Sequence, residues 1–394
     1  MMATPPLLEP RDEKDICAAV ADVAATGRKL EIVGGGSKRG TGNPARETLP
    51  LSTAGLGRVI DYDPAELVLT VEPGVRLAEI ETLLAGSNQM LAFEPYDFGA
   101  VTGRETGRST IGGVVGAGFA GSRRVSAGGV RDHLLGFSAV NGRGEAFKAG
   151  GRVVKNVTGY DLSKLMAGSW GQLAVLTQMT LKVIPRPLTT RTLVMRGLTA
   201  EAAVAAMGLA MRSQAEVAAA SHVPSSGGAT TTAIRIEGFG PSVEARGKML
   251  ASLLSGIGRI ETLEASEAEA HWRKVQTASL LAAADRPVLW RICIPPVQGA
   301  VILDGIAALD GVGLMDWAGG LVWARTPLQA PAASARKLSE DAGGHAMLVE
   351  APEEVRAAVP ALHPEVSAVA ALSRRVREAF DPLGLFDPER FGAR

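Results

Sequence analysis

Leu30-Glu31-Ile32-Val33-Gly34-Gly35-Gly36-Ser37-Lys38-Arg39-Gly40 reads as a short apolar strand that runs directly into a glycine loop. A loop of this kind raises three phosphate-binding readings. The G-x-G-x-x-G dinucleotide fingerprint has Arg39 where its third glycine belongs. It also lacks an acid for a ribose hydroxyl around Thr53 to Leu56, and it leads into Thr41-Gly42-Asn43-Pro44 instead of a helix. A P-loop needs Gly-Lys-Ser/Thr in that order, and Ser37-Lys38-Arg39 does not supply it. A backbone nest, in which successive N–H groups curl around an anion, needs neither a helix nor a fixed lysine, and it fits. A plain β-turn remains the alternative for this loop taken alone.

The loop has company. A second stretch reads Ser109-Thr110-Ile111-Gly112-Gly113-Val114-Val115-Gly116-Ala117-Gly118-Phe119-Ala120-Gly121-Ser122-Arg123-Arg124. A third runs from Lys155-Asn156-Val157-Thr158-Gly159-Tyr160-Asp161-Leu162 to Gly168-Ser169-Trp170-Gly171-Gln172-Leu173-Ala174-Val175. Of 47 glycines in 394 residues, 27 fall between Gly34 and Gly171. Glycine costs backbone entropy in regular elements, so such density needs a reason. Apolar segments interrupt it, which excludes low complexity. Three separated glycine stretches suggest one long ligand lying against main chain.

Composition narrows the class. Lys+Arg and Asp+Glu are both 41, so the net charge is zero and no cationic excess exists for a nucleic acid. Only two cysteines occur, Cys17 and Cys293, which excludes a disulfide framework and a Cys-built iron–sulfur or zinc site. No apolar run approaches the ~20 residues of a spanning helix. Met1 to Arg11 carries no secretory pattern, so the expectation is a cytoplasmic chain. The five histidines form no pair at i, i+3 or i, i+4, and no metal is expected.

Periodicity predicts a helix over Asp12 to Thr26, then strands at Leu30–Val33 and Leu49–Ser52, a β-α-β-like opening. Strands follow at 59–62 and 67–71, a helix at 77–84, and a hairpin around Asn141-Gly142-Arg143-Gly144. A long strand from Leu173 to Ile184 ends at Pro185-Arg186-Pro187, the first domain boundary. Beyond it the order β-α-β-β-α-β, loosely repeated, predicts an antiparallel sheet with helices on one face. Ser367 to Phe380 reads as an amphipathic helix, followed by an apolar tail, Asp381-Pro382 to Pro388, that docks on the body.

In this order, Gly-Gly-Gly-Ser, Thr-Ile-Gly-Gly, Arg131-Asp132-His133-Leu134-Leu135-Gly136, Gly159-Tyr160-Asp161-Leu162 and Gly168-Ser169-x-Gly171-x-Leu173 resemble the flavoprotein superfamily of vanillyl-alcohol oxidase and p-cresol methylhydroxylase. Within it the wording is most similar to the FAD-binding E subunit of bacterial glycolate oxidase. The resemblance is dense from Leu30 to Pro187 and thin beyond, returning in the tail. It implies an α+β fold: a two-part FAD-binding domain of the p-cresol methylhydroxylase type over 1–187 and a smaller antiparallel α+β cap over 188–365. A C-terminal helix and tail, 366–394, would return to the first domain.

The resemblance also implies FAD as cofactor. Gly34, Gly35, Gly36, Ser37 and Lys38 would cradle its diphosphate. Thr110, Ile111, Gly112, Gly113, Ala117, Gly118, Gly121 and Ser122 would run beside the diphosphate, ribityl chain and flavin. Pro95 would stand near the flavin, and Gly168, Ser169, Gly171, Leu173, Ala174 and Val175 would meet the adenine half. Arg123 and Arg124 read as a surface pair or as phosphate counter-charge. Some relatives bond FAD through a histidine beside the glycine loop. Ser37 stands there, so non-covalent FAD is expected. Oxidising a 2-hydroxy acid needs a base and a cation for the carboxylate. No base is visible, so the catalytic residue stays unassigned. Arg291, in Val288-Leu289-Trp290-Arg291-Ile292-Cys293-Ile294, is the candidate cation, unless it pairs with an acid. The implied function is glycolate oxidation within a complex that holds a catalytic flavoprotein subunit and an iron–sulfur subunit, with membrane contact made only through partners. A self-sufficient 2-hydroxy-acid dehydrogenase and a structural subunit with a vestigial flavin site are the alternatives.

Overall fold

The structure, a computed structural model, describes residues 6–44, 48–152, 160–224, 229–282, 284–386 and 389–391. Lys155 to Gly159 of the third stretch and Asp387-Pro388 of the tail lie outside the described residues.

The chain starts with helix α1 (Glu13–Thr26), capped by the Asp12 carboxylate on Asp15 N–H and ended by Gly27 at φ 66°. Its Ile16, Val20 and Val23, at helical spacing, bury against Leu30, Leu49 and Leu51. Burying each such side chain contributes about 1.5–3 kcal/mol. Leu30 and its neighbours belong to β1 (Lys29–Val33) and β2 (Thr48–Ser52), which pair in parallel. The β-α-β-like expectation needs correction here: α1 precedes both strands, and the described part of their connection, 34–44, contains no helix. A parallel pair needs a long crossover, and the glycine loop supplies it.

Next come β3 (Val59–Asp63), β4 (Val68–Val71), α2 (Leu77–Ala85) and the two-residue β5 (Gln89–Met90). Four short helices follow in the glycine-dense region: α3 (Phe98–Thr102), α4 (Ile111–Ala117), α5 (Arg124–Ala127) and α6 (Val130–His133). The segment then returns through β6 (Leu134–Val140), β7 (Ala146–Gly150), α7 (Leu162–Met166), β8 (Val175–Lys182) and β9 (Ile184–Pro185). An antiparallel sheet in the order β3-β4-β8-β6-β7 carries α2 and α4 on a core that includes Ile80, Leu84, Ile111 and Val115. The β6–β7 hairpin turns at Asn141, whose carboxamide oxygen accepts from the N–H groups of Arg143 and Glu145.

From Thr189 onward the chain runs β10 (Thr189–Arg196), α8 (Ala200–Met211), β11 (Val217–Val223), β12 (Thr231–Gly238), α9 (Gly240–Leu254), β13 (Ile260–Thr262) and α10 (Ala265–Gln276). It continues with β14 (Val288–Cys293), α11 (Gly299–Ala307), β15 (Val312–Asp316), β16 (Leu321–Thr326), α12 (Ala332–Asp341) and β17 (His345–Glu350). Apart from α10, this is β-α-β-β-α-β twice. The sheet order β13-β10-β12-β11-β15-β16-β14-β17 shows the two units as mirror-ordered halves joined through β11 and β15. Helices α8, α9, α11 and α12 share one core with Trp290 and Ile292. Sequence reading missed β11, because Val217-Ala218-Ala219-Ala220-Ser221-His222-Val223 is alanine-rich and alanine is poor in strands. It also missed α11, which begins just after Pro295-Pro296. Helix α13 (Glu353–Ala358) and the amphipathic α14 (Ser367–Phe380) complete the fold.

Candidate functional site

Three backbone segments meet in one groove. The first leaves β1 and turns at Gly36, whose φ is +76°. Gly34 and Gly35 let this loop lie directly on the second segment: a Cβ at Gly34 would run into Thr110 Oγ1, and one at Gly35 into the Arg108 carbonyl. Ser37 Oγ sits 3.3 Å from Ser109 Oγ, and Ser109 donates to Asp97 Oδ1 at 3.0 Å. Lys38 lies over the Phe98 ring at 5.0 Å. Burial pushes its ammonium down to about 8, opposed by the nearby Asp97.

The second segment is α4. Thr110 caps it by accepting from Gly113 N–H, and Gly118 ends it at φ 68°. Gly112 is tight against Pro73, where a Cβ would stand 2.6 Å from the ring. Gly116 is different. A Cβ there would meet nothing within 4 Å, and the residue lines the groove, as does Gly113 one turn earlier. These two helical glycines keep a strip of backbone bare on the groove side.

The carbonyls at the end of α4 hold the third segment. Gly168 N–H donates to Val115 O at 3.0 Å, and Trp170 N–H donates to Gly116 O at 2.8 Å. A Cβ at Gly118 would stand 2.9 Å from Gly168 Cα, and Gly168 has room for one but sits at φ +86°, where a side chain is strained. Trp170 adopts φ +56°, unusual for a residue with a bulky side chain.

The groove thus brings together Gly34, Gly35, Gly36, Ser37, Lys38, Thr110, Gly112, Gly113, Ala117, Ser169, Gly171 and Ala174. Ile111, Leu173 and Val175 turn their side chains into the core behind it. Gly118 and Gly168 support the crossing. Pro95, Gly121 and Ser122 lie outside the groove. Pro95 borders a second, separate cavity. Gly121 O accepts from Trp317 Nε1 at 3.0 Å, and Ser122 donates to Asp316 Oδ2 at 2.8 Å. Asp316 is 1 % exposed. Burial pushes its carboxyl up to about 7, against the bonds from Ser122 and Trp317 N–H.

Arg123 and Arg124 do not line the groove, and only Arg124 is at the surface, since Arg123 is buried. Arg123 joins Glu94 (3.2 Å) and Glu237 (2.6 Å), and Arg235 bridges the same two acids at 2.8 and 3.2 Å. This ring of four charges ties the first 187 residues to β12. Arg124 stacks on Trp317 at 4.4 Å. Arg291 also stays out of the groove. Its guanidinium lies between Phe119 (5.1 Å) and Trp317 (4.9 Å) and donates to Cys293 Sγ at 3.2 Å. Among the described residues it pairs with no acid, and its buried Nε has no hydrogen-bond partner. None of the five histidines lines the groove, and no metal-holding cluster occurs among the described residues.

Sequence reasoning missed Gly116, Trp170 and Arg390 as groove residues. The first two lay inside quoted stretches. Arg390 comes from the far end of the chain and left no local signal.

The family described as "FAD binding domain" matches residues 5–150. Over 159 residues the chain is 43% identical to glycolate oxidase subunit GlcE of Escherichia coli (strain K12). That alignment takes in 40% of this chain and 43% of the relative, less than half of either. In structure the chain is similar to 4-ethylphenol oxidase from Gulosibacter chungangensis, with TM-score 0.71 and 16% identity, over 98% of this chain and 88% of that one. It is also similar to p-cresol methylhydroxylase, with TM-score 0.69 and 14% identity over the same shares. Residues 5–150 are therefore an FAD binding domain, and the chain is built on the α+β fold that p-cresol methylhydroxylase also has.

Proposed function

We propose that the chain is the FAD-binding subunit of a multi-subunit glycolate oxidase, which oxidises glycolate to glyoxylate and passes the electrons on through partner subunits. The observation that carries this is the single groove made by three glycine segments in a chain similar to a glycolate oxidase subunit. The residues fit the cofactor. Gly116 leaves open space beside bare main chain, and Gly113 brings its backbone next to Thr110 Oγ1 and Lys38 Nζ, as a ligand lying against backbone requires. Lys38 brings a cation to the groove, matched to a diphosphate.

In this reading Gly34 to Lys38, Thr110, Gly112 and Gly113 hold the diphosphate, while Ser169, Gly171 and Ala174 meet the adenine half. When bound, FAD accepts the hydride equivalent of the substrate and can release it as single electrons. Ser37 bonds to Ser109 and offers no histidine for a covalent link, so FAD is held non-covalently. Arg291 offers a substrate carboxylate an Nε that has no hydrogen-bond partner among the described residues. In this reading a partner flavoprotein is the site of proton abstraction, and an iron–sulfur subunit is the onward acceptor. Residues 1–187, 188–365 and 366–394 act as FAD domain, cap and returning tail.

The test is steady-state oxidation of glycolate with an artificial electron acceptor, by the purified chain and by the chain assembled with its partners. The expected result is a yellow protein with turnover that appears only on assembly, and with KM raised in the assembled Arg291→Ala variant. Robust turnover by the isolated yellow chain points instead to a self-sufficient dehydrogenase. A colourless chain points to a vestigial site.

A further inference from the structure

The segment Glu389–Phe391 lies on the first glycine loop and fastens to it at several points. Asn43 N–H donates to Arg390 O at 2.8 Å, and Asn43 Nδ2 to Glu389 O at 2.6 Å. The Arg390 guanidinium donates to Lys38 O (2.9 Å) and Thr41 O (3.2 Å) and pairs with the buried Glu31 at 3.1 Å. Gly42, at φ +91°, makes room: a Cβ there would sit 2.9 Å from Arg390 O. Phe391 is 4 % exposed and packs on Trp170 with ring centroids 4.6 Å apart. Arg390 and Trp170 both line the groove.

The chain end therefore joins the first and third groove segments. Its guanidinium bonds the Lys38 and Thr41 carbonyls of the turn that carries Lys38, and its aromatic ring backs Trp170 of the third segment. A planar fork satisfying two carbonyls and a carboxylate holds that turn in one geometry. The unusual backbone of Trp170 is kept where its indole meets this ring.

We propose that Arg390 and Phe391 form a strap that keeps the cofactor groove closed and sets the rate at which FAD leaves. Both are positioning residues: Arg390 acts through the Lys38 turn, and Phe391 through Trp170. The proposal rests on the reading that the groove holds FAD.

The experiment measures FAD release from the loaded chain by recovery of flavin fluorescence after dilution, beside thermal melting of the FAD-free protein. The variants are Phe391→Ala, Arg390→Lys and a chain ending at Glu389. Truncation is expected to speed release at least tenfold, while the melting temperature of the FAD-free protein falls only by the burial lost with Phe391 and the Arg390–Glu31 pair. Phe391→Ala and Arg390→Lys should fall between truncation and wild type. Lysine keeps the charge toward Glu31 but cannot fork across two carbonyls. Release at the wild-type rate overturns the strap, and so does a loss of affinity matched by an equal loss of FAD-free stability. If the truncated chain fails to fold, the two point variants decide. If the wild-type chain takes up no FAD, the cofactor reading fails by itself. Amide exchange at Thr41 and Asn43 then judges the strap: protection unchanged in Arg390→Lys overturns it.

Discussion

Gly34, Gly35 and Gly112 of the FAD-binding half face different neighbours from Gly305 and Gly313 of the half that holds the eight-stranded sheet. Gly34, Gly35 and Gly112 abut fixed atoms of another loop: the Thr110 side chain at its helix cap, a carbonyl and a proline ring. Gly305 and Gly313 abut the ends of the Leu338 and Leu303 side chains, which can swing away. At Gly34, Gly35 and Gly112 glycine lets chain segments touch beside the groove, whereas Gly305 and Gly313 make room for leucine side chains. Gly319 and Gly344 of the second half also abut carbonyls, those of Pro296 and Cys293, so a main-chain neighbour marks a close crossing and becomes a site only where several crossings share one groove.

Paired substitutions break or sharpen that contrast. The largest effect is expected at Gly35. Gly35→Ala puts a methyl onto the Arg108 carbonyl and should destabilise the fold by about 3 kcal/mol or more. Gly305→Ala, inside α11, should change stability by less than about 1 kcal/mol, because gained helix propensity offsets repacking of Leu338. Urea unfolding of both variants checks this, and equal losses would erase the distinction between the halves.

Asp316 comes next, because it reaches from the second half to Ser122 of the first. Its folded carboxyl titrates near 7, above its unfolded value near 3.8. The folded state therefore holds the extra proton between those values. The stability contributed is full below about pH 4 and is lost as pH rises toward 7, at about 1.4 kcal/mol per pH unit. His222 and His271, both pushed down to about 4 chiefly by burial, act in the opposite direction over pH 4 to 6.5. The difference between wild type and Asp316→Asn isolates the aspartate. That difference should slope across pH 4–7 and flatten above, and a flat difference throughout would show that Asp316 ionises freely.

The smallest change in stability is expected at Gly116. Gly116→Ala should raise FAD-free stability by up to about 1 kcal/mol, since alanine favours a helix. The methyl projects into the groove, so FAD affinity should fall about tenfold (about 1.4 kcal/mol). Stabilisation with FAD affinity intact would mean that the ligand does not lie against that strip of α4.

Legibility followed the same divide. The three glycine stretches could be read as one site because each carries its chemistry in its own backbone, and most of the named residues do line the groove. Pro95, Gly121 and Ser122 were placed there by resemblance alone, and the structure sets them at the seam with the second sheet. Strand β11 was hidden by its alanines, yet it is one of the two central strands through which the sheet units join. Strand β14 was legible down to its faces: Trp290 and Ile292 enter the helix-side core, while Leu289, Arg291 and Cys293 face the aromatic cluster beside the groove.

The sequence by itself determined the glycine segments, the strand faces, the repeated sheet unit and the absence of a cysteine-built redox centre. Each of these is a local pattern of side-chain size, period or chemistry. Only the tertiary structure decided that Arg390 and Phe391 complete the groove, that Arg123 belongs to a buried ring of charges, and that Arg291 pairs with no acid among the described residues. The physical reason is distance along the chain. A contact between residues some 350 positions apart depends on how every intervening element packs, and no short window of sequence contains it.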